Sequence, residues 1–154
     1  METDSFCAGY YKQHLKMARV LALLVFGLCF VRFYDACPTH ECPCFQEEEI
    51  DCTDMMYKYV PDWFPENTTY YMLDLSKNKI RRLDALAFKG LRVQKIRVKS
   101  NRHEMMIHPQ AFSGLEDYLK VLQFKGNKIQ ALPAGLFKGM DKLKHIDLSD
   151  NGKM

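Results

Sequence analysis

Four cysteines within sixteen positions, Cys37-Pro38-x3-Cys42-x-Cys44-x7-Cys52, are the residues of this chain best placed to do chemistry. Four thiolates can hold a zinc ion tetrahedrally. Four cysteines can also close two disulfides, in any of three pairings. The segment before them favours disulfides. Residues 20–31 read VLALLVFGLCFV, twelve uncharged residues behind Lys12, Lys16 and Arg19. That is shorter than the ~20 residues of a membrane-spanning helix and within the ~7–15 of a signal-peptide core. Residues 1–36 are therefore expected to be a targeting segment, with its true start at Met1 or Met17. Ala36 offers a small residue for cleavage, although Tyr34 stands two positions earlier, where a small residue is expected. An uncleaved anchor is the rival reading, so membrane attachment stays open. Export implies an oxidising compartment, where clustered cysteines pair with one another.

Other reactive side chains form no constellation. The chain has no Gly-rich phosphate loop, no His-Glu-x-x-His and no Gly-x-Ser-x-Gly. His103 and His108 have no third ligand nearby in sequence, and His40 is isolated. The expectation is a protein without catalysis, metal or cofactor. Charge is uneven: residues 37–66 carry one basic and eight acidic side chains, and residues 67–154 carry 17 basic and 8 acidic. An acidic head before a basic body points to an anionic partner, although a merely solvated surface gives the same pattern.

The elements that position these groups recur. Tyr70-x-x-Leu73-x-Leu75-x-x-Asn78 is followed by Val93-x-x-Ile96-x-Val98-x-x-Asn101, Leu119-x-x-Leu122-x-Phe124-x-x-Asn127 and Leu143-x-x-Ile146-x-Leu148-x-x-Asn151. Ala87-Phe88-x-Gly90-Leu91, Ala111-Phe112-x-Gly114-Leu115 and Leu136-Phe137-x-Gly139-Met140 form a second register. Alternating apolar residues specify a strand with one buried face. Each strand lacks a partner within its own repeat and must pair with the repeats on either side, giving a parallel sheet along a solenoid. The carboxamides of Asn78, Asn101, Asn127 and Asn151 offer donor and acceptor together for the turn that leaves each strand. Phe88, Phe112 and Phe137 are expected to stack on the opposite wall. The 26-residue interval between Asn101 and Asn127 is longer than its neighbours, with the extra residues expected as bulges at His103–Ile107 and Glu116–Tyr118.

Over residues 37–154 this pattern resembles the extracellular leucine-rich repeat family with a cysteine-rich N-terminal cap. The resemblance implies an α/β fold: a right-handed leucine-rich repeat solenoid with a parallel β-sheet on its concave face and an irregular or 3-10 convex side. It divides the chain into the targeting segment (1–36), a cap (37–66) and about three and a half repeats (67–154), and it implies the pairings Cys37–Cys44 and Cys42–Cys52. The fourth repeat has a strand and no return path, from which a fragment of a longer protein is expected. Asn67-Thr68-Thr69 is a glycosylation sequon at Asn67.

Alternation turns Asp74, Lys95, Arg97, Lys99, Gln123, Lys125, His145 and Asp147 out of the sheet. Lys95, Arg97, Lys99 and Lys125 then form a basic stripe between Asp74 and Asp147, suited to the acidic surface of an extracellular protein or to a sulfated glycan, and nucleic acid is excluded by export. The expected function is recognition of a protein by a secreted or cell-surface receptor, adhesion or matrix protein. The alternatives are a remnant without a binding role and a non-catalytic accessory subunit of a secreted enzyme. For the latter, Leu115-x3-Leu119-x2-Leu122 is similar to arthropod relatives of the non-catalytic subunit of a secreted luciferase.

Overall fold

The computed structural model describes residues 42–45, 48–64 and 68–152, with the backbone alone at Cys44 and Phe45. The targeting segment 1–36, Cys37 and its pairing with Cys44, and Asn67 lie outside the described residues.

Eight strands are present among the described residues: β1 (Cys44–Phe45), β2 (Glu49–Asp51), β3 (Thr69–Asp74), β4 (Arg82–Leu83), β5 (Arg92–Arg97), β6 (Met106–Ile107), β7 (Val121–Gln123) and β8 (His145–Asp147). Six of them form one sheet in the order β1-β2-β3-β5-β7-β8. Only the β1–β2 pair is antiparallel; β2 through β8 run parallel. Each coil thus meets its hydrogen-bonding needs in its neighbours, as an unpartnered strand requires.

The register is continuous across the sheet. Ile50, Leu73, Ile96, Leu122 and Ile146 are partners in turn. The first four are at most 1% exposed, whereas Ile146 in the last strand is 37% exposed. Leu75, Val98 and Phe124 form a second fully buried row.

Behind the sheet the chain returns through turns closed by i→i+3 bonds, the 3-10 pattern. In the first such segment Ala87 N–H donates to Asp84 O at 3.2 Å, Lys89 to Leu86 at 2.9 Å and Leu91 to Phe88 at 3.1 Å. Ala111, Ser113 and Leu115 repeat the set onto His108, Gln110 and Phe112 at 2.9, 3.2 and 3.1 Å. No α-helix occurs among the described residues. This is the irregular or 3-10 convex side that the resemblance implies. Against this wall Phe88 and Phe112 stack with centroids 5.8 Å apart at 11°, and Phe112 and Phe137 at 6.1 Å and 14°.

One segment differs from its sequence reading. Within His103–Ile107, read as a bulge, Met106–Ile107 is strand β6, paired in parallel with β4 in a second, two-stranded sheet. Leu83 and Ile107 are both buried there, and Met106 and His108 donate to Arg81 and Leu83 carbonyls at 2.9 Å. Two residues per coil are too few to show an alternation. Glu116–Tyr118 does take up extra length: the N–H groups of Tyr118 and Leu119 both return to Leu115 O, at 3.0 and 2.9 Å.

Asparagines tie the coils together. Asn127 is fully buried. Its Oδ1 accepts Asn101 N–H at 2.9 Å, and its Nδ2 donates to Phe124 O at 2.8 Å and to Val98 O of the preceding coil. Asn151 does the same for Asn127 N–H (2.9 Å) and Ile129 N–H (3.1 Å), and donates to Phe124 O at 2.8 Å. Asn78 reaches back toward the first strands, accepting Met55 and Tyr57 N–H at 3.0 Å and donating to Cys52 O at 2.8 Å. The neighbouring Cys52 is bonded to Cys42, with S–S 2.06 Å.

Replacing Asn127 by alanine leaves buried backbone groups of two coils unpaired. The expected loss is about 1–3 kcal/mol, read as a lower urea midpoint at unchanged slope.

Candidate functional site

The open face of the sheet carries two columns defined by strand register. Glu49, Met72, Lys95, Val121 and His145 form one, and Asp51, Asp74, Arg97, Gln123 and Asp147 the other. Adjacent members sit about 4.8 Å apart, the spacing of paired strands. Lys99 and Lys125 continue the face just past β5 and β7, where the main chain is still bonded across: Lys77 N–H donates to Lys99 O at 2.8 Å and Ser100 N–H to Lys125 O at 3.0 Å.

The charges here are not a free basic stripe. Asp74, read as an outward flank, is only 8% exposed. Its Oδ2 accepts Arg97 Nη1 at 3.0 Å, while its Oδ1 accepts Ser76 N–H at 2.9 Å. Arg97 Nε donates in turn to Gln123 Oε1 at 3.2 Å, so the guanidinium lies across three strands, held at both sides. The planar fork of arginine suits such bridging. Lys125 pairs with Asp150 at 3.1 Å, both well exposed, a geometry that contributes little to stability. Among the described residues, no carboxylate lies within ion-pair distance of Lys95 or Lys99. Burial first, then the charges of Arg97 and Lys99, pull the Lys95 ammonium below the usual lysine range, against Glu49 and Asp74.

The acidic members of the second column share a turn. Asp51 Oδ1 accepts Thr53 N–H at 2.9 Å, Asp74 Oδ1 takes Ser76 N–H, and Asp147 Oδ1 takes Ser149 N–H at 3.0 Å. This Asp-x-Ser/Thr device satisfies the backbone as it leaves the strand. Arg97-x-Lys99 and Gln123-x-Lys125 lack it. Lys99 N–H is satisfied instead by Ser76 Oγ of the preceding coil, at 3.0 Å. The residues before each asparagine, Lys77, Ser100, Gly126 and Asp150, have φ of 59°, 57°, 73° and 58°. They belong to the turn rather than to the strand face.

Glu49 and Asp51 were missed as face residues because they sit beside Cys52 in the segment read as cap. The Glu49-Ile50-Asp51 alternation is the signal that would have found them. Arg92, whose guanidinium lies 5.8 Å from the Tyr118 ring centroid, and the Lys120 Nζ–Gln94 Oε1 bond of 2.9 Å build a flank beside the face. Among the described residues there is no group of three or more His, Cys, Asp or Glu arranged to hold a metal ion, and no helix long and apolar enough to cross a membrane.

Residues 92–152, which contain β5 to β8, match the leucine-rich repeat family. The coil is a parallel-strand β-solenoid, consistent with a leucine-rich repeat solenoid. Its register runs back unbroken to Ile50 in β2, so the repeat geometry begins well before the matched segment. The chain is also similar to human leucine-rich repeats and immunoglobulin-like domains protein 3, with 38% identity over 92 residues, 60% of this chain. Those residues span only 8% of that relative's length. Leucine-rich repeats generally serve to bind other proteins.

Asp147 allows the electrostatics of this repeat face to be tested. The Ser149 hydroxyl, donating to Asp147 Oδ1 at 2.7 Å, and then the Ser149 N–H hold its carboxyl below the usual carboxylate range. A depressed carboxyl favours the folded state above its ordinary pKa, and that preference fades as the pH falls through the folded value. Ser149→Ala is expected to move the Asp147 pKa up toward the ordinary value in a carbon-detected NMR titration, and no movement would refute the hydroxyl's role.

Proposed function

We propose that this chain is an exported, non-catalytic recognition module that binds a protein partner through the open face of its repeat sheet. The observation that carries this reading is the mixed-sign surface on a single continuous register. Glu49, Asp51 and Asp74 stand on one side, Lys95, Arg97 and Lys99 in the middle, and Asp147 on the other. Folded protein surfaces present both signs at this spacing, and complementary potentials give register and specificity. A sulfated glycan laid across the strands would meet carboxylates on both sides of the basic centre, so a protein fits this face better.

Export is supported by the charged-then-apolar segment before Cys37, by the Cys42–Cys52 bond and by the sequon at Asn67. We take residues 37–66 as the cap of the solenoid, with Cys37–Cys44 as its second bridge. The human relative, named for leucine-rich repeats and immunoglobulin-like domains, is consistent with a cell-surface or secreted setting of the receptor, adhesion or matrix type.

The test is a fluorescent fusion of the full chain, expressed in mammalian cells and applied to intact cells. Expected are release into the medium, a mobility shift on N-glycan removal that disappears in Asn67→Gln, and saturable cell binding that survives heparinase but not trypsin. A glycan placed on the face by Lys95→Asn with Arg97→Thr is expected to abolish binding. A glycan placed in the loop after β5, by Arg102→Asn with Glu104→Thr, is expected to spare it. Retention inside the cell, or equal binding by both glycan variants, would contradict the proposal.

A further inference from the structure

The centre of the open face departs from the rest in a way that packing does not require. In the first, second and last strands of the parallel run, the aspartate of Asp-x-Ser/Thr closes its own turn. The middle strands give that up for Arg97-x-Lys99 and Gln123-x-Lys125, although Asp-x-Ser would satisfy the same backbone. Here the backbone is satisfied another way, Ser76 Oγ accepting Lys99 N–H at 3.0 Å, and places where a sequence abandons a locally favourable device are candidate functional positions. What replaces the device is a line of positive charge along one strand direction: Lys95 and Arg97 in β5, and Lys99 two residues on. From Lys95 to Lys99 the chain covers about 13 Å at the rise of an extended strand.

Two of the three cations have no carboxylate at ion-pair distance among the described residues. The third is occupied from within the molecule. Asp74 holds Arg97 Nη1 at 3.0 Å, while the Arg97 side chain as a whole remains 29% exposed. A carboxylate arriving from outside would find the same fork already oriented by Gln123 Oε1 on the far side. The crowding of Lys95 by Arg97 and Lys99 is a standing repulsion that an anion would relieve. Across the strands the line is short, bounded by Asp74 in β3 and by Asp147 and Asp150 around β8. These bounds favour a narrow extended chain with spaced carboxylates over a broad polyanion.

We propose that Lys95, Arg97 and Lys99 receive an extended acidic segment of a protein partner lying along β5, and that Asp74 is the internal stand-in which that segment displaces from Arg97. The inference deepens the recognition reading above and rests on it. Asp74 is then a negative regulator of affinity, because each binding event must break its ion pair. Its second oxygen, bound to Ser76 N–H, keeps the turn intact during the exchange.

The probe is fluorescein-labelled hexaglutamate, titrated by fluorescence anisotropy into the full chain, with hexaserine and a heparin hexasaccharide as comparison ligands. Asp74→Asn keeps a carbonyl oxygen for Ser76 N–H and removes the charge that holds Arg97. It is expected to tighten hexaglutamate binding about two- to fivefold. Lys95→Ser with Lys99→Ser is expected to weaken binding about three- to tenfold and to flatten its salt dependence. Lys95→Glu with Lys99→Glu, two polar changes on the open face, is expected to abolish it. Hexaserine is expected not to bind.

Unchanged or weaker binding by folded Asp74→Asn would overturn the stand-in role. Should that variant fail to fold, the two lysine variants decide the matter, and unchanged affinity in both sinks the proposal. Tighter binding of the heparin fragment than of hexaglutamate, with the same variant pattern, would overturn the peptide partner in favour of a glycan. None of these failures touches the recognition reading, which is judged by the face-directed glycan on intact cells.

Discussion

Every parallel strand among the described residues depends on another coil for its hydrogen bonds, and the buried asparagine carboxamides make that dependence hold at the turns. A few residues past β3, β5, β7 and β8, at the asparagines, the backbone bends away from the sheet, and N–H groups there pair with asparagine oxygens instead of strand carbonyls. Water cannot reach them, since Asn101 and Asn127 are at most 1% exposed. A carboxamide is the one small side chain that can supply an acceptor and two donors at such a corner. Asn127 touches the carbonyls of Val98 and Phe124 and the N–H of Asn101, and so binds adjacent coils in one side chain. Without it the alternation of apolar residues would still favour strands, but nothing would satisfy the corners that stack them.

That constraint also leaves most of the open face without a packing role. The inward rows, Ile50 to Ile146 and Leu75 to Phe124, carry the packing, and the phenylalanine stack carries the opposite wall. The outward positions are therefore released from structural duty, apart from the aspartates that close turns. Asp74 shows the two roles meeting, with one oxygen on its own backbone and the other on Arg97 of the next coil. A face assembled this way can exchange its central side chains while its framework stays the same, which suits a repeat fold that presents a surface.

Much of this was legible because period and position are local properties. The four asparagine registers, the phenylalanine stack and the apolar rows follow from residue spacing, and the sheet register sets them side by side. The β4–β6 pair was not legible, since two residues cannot display an alternation and their pairing depends on how far apart successive coils return. Asp74 reads from the sequence as an outward flank of the basic stripe, whereas it is only 8% exposed. Its burial under Arg97 depends on a side chain 23 positions away, which spacing within one strand does not reveal. Glu49 and Asp51 were overlooked for the opposite reason: their alternation is plain, but the cysteines beside them drew the whole segment into a cap. The mixed sign of the face emerges only when those columns are aligned.

The most direct test of the account is native-state hydrogen exchange at the amides bonded to asparagine oxygens: Ile80, Asn101, Asn127 and Ile129. If the carboxamides hold the coils together, these turn amides exchange as slowly as the sheet amides of Leu75, Val98 and Phe124, and all respond together to added denaturant as one cooperative unit. If the corner amides exchange rapidly and independently while the strand amides remain protected, the asparagines merely fill turns, and the coils are held by apolar packing alone.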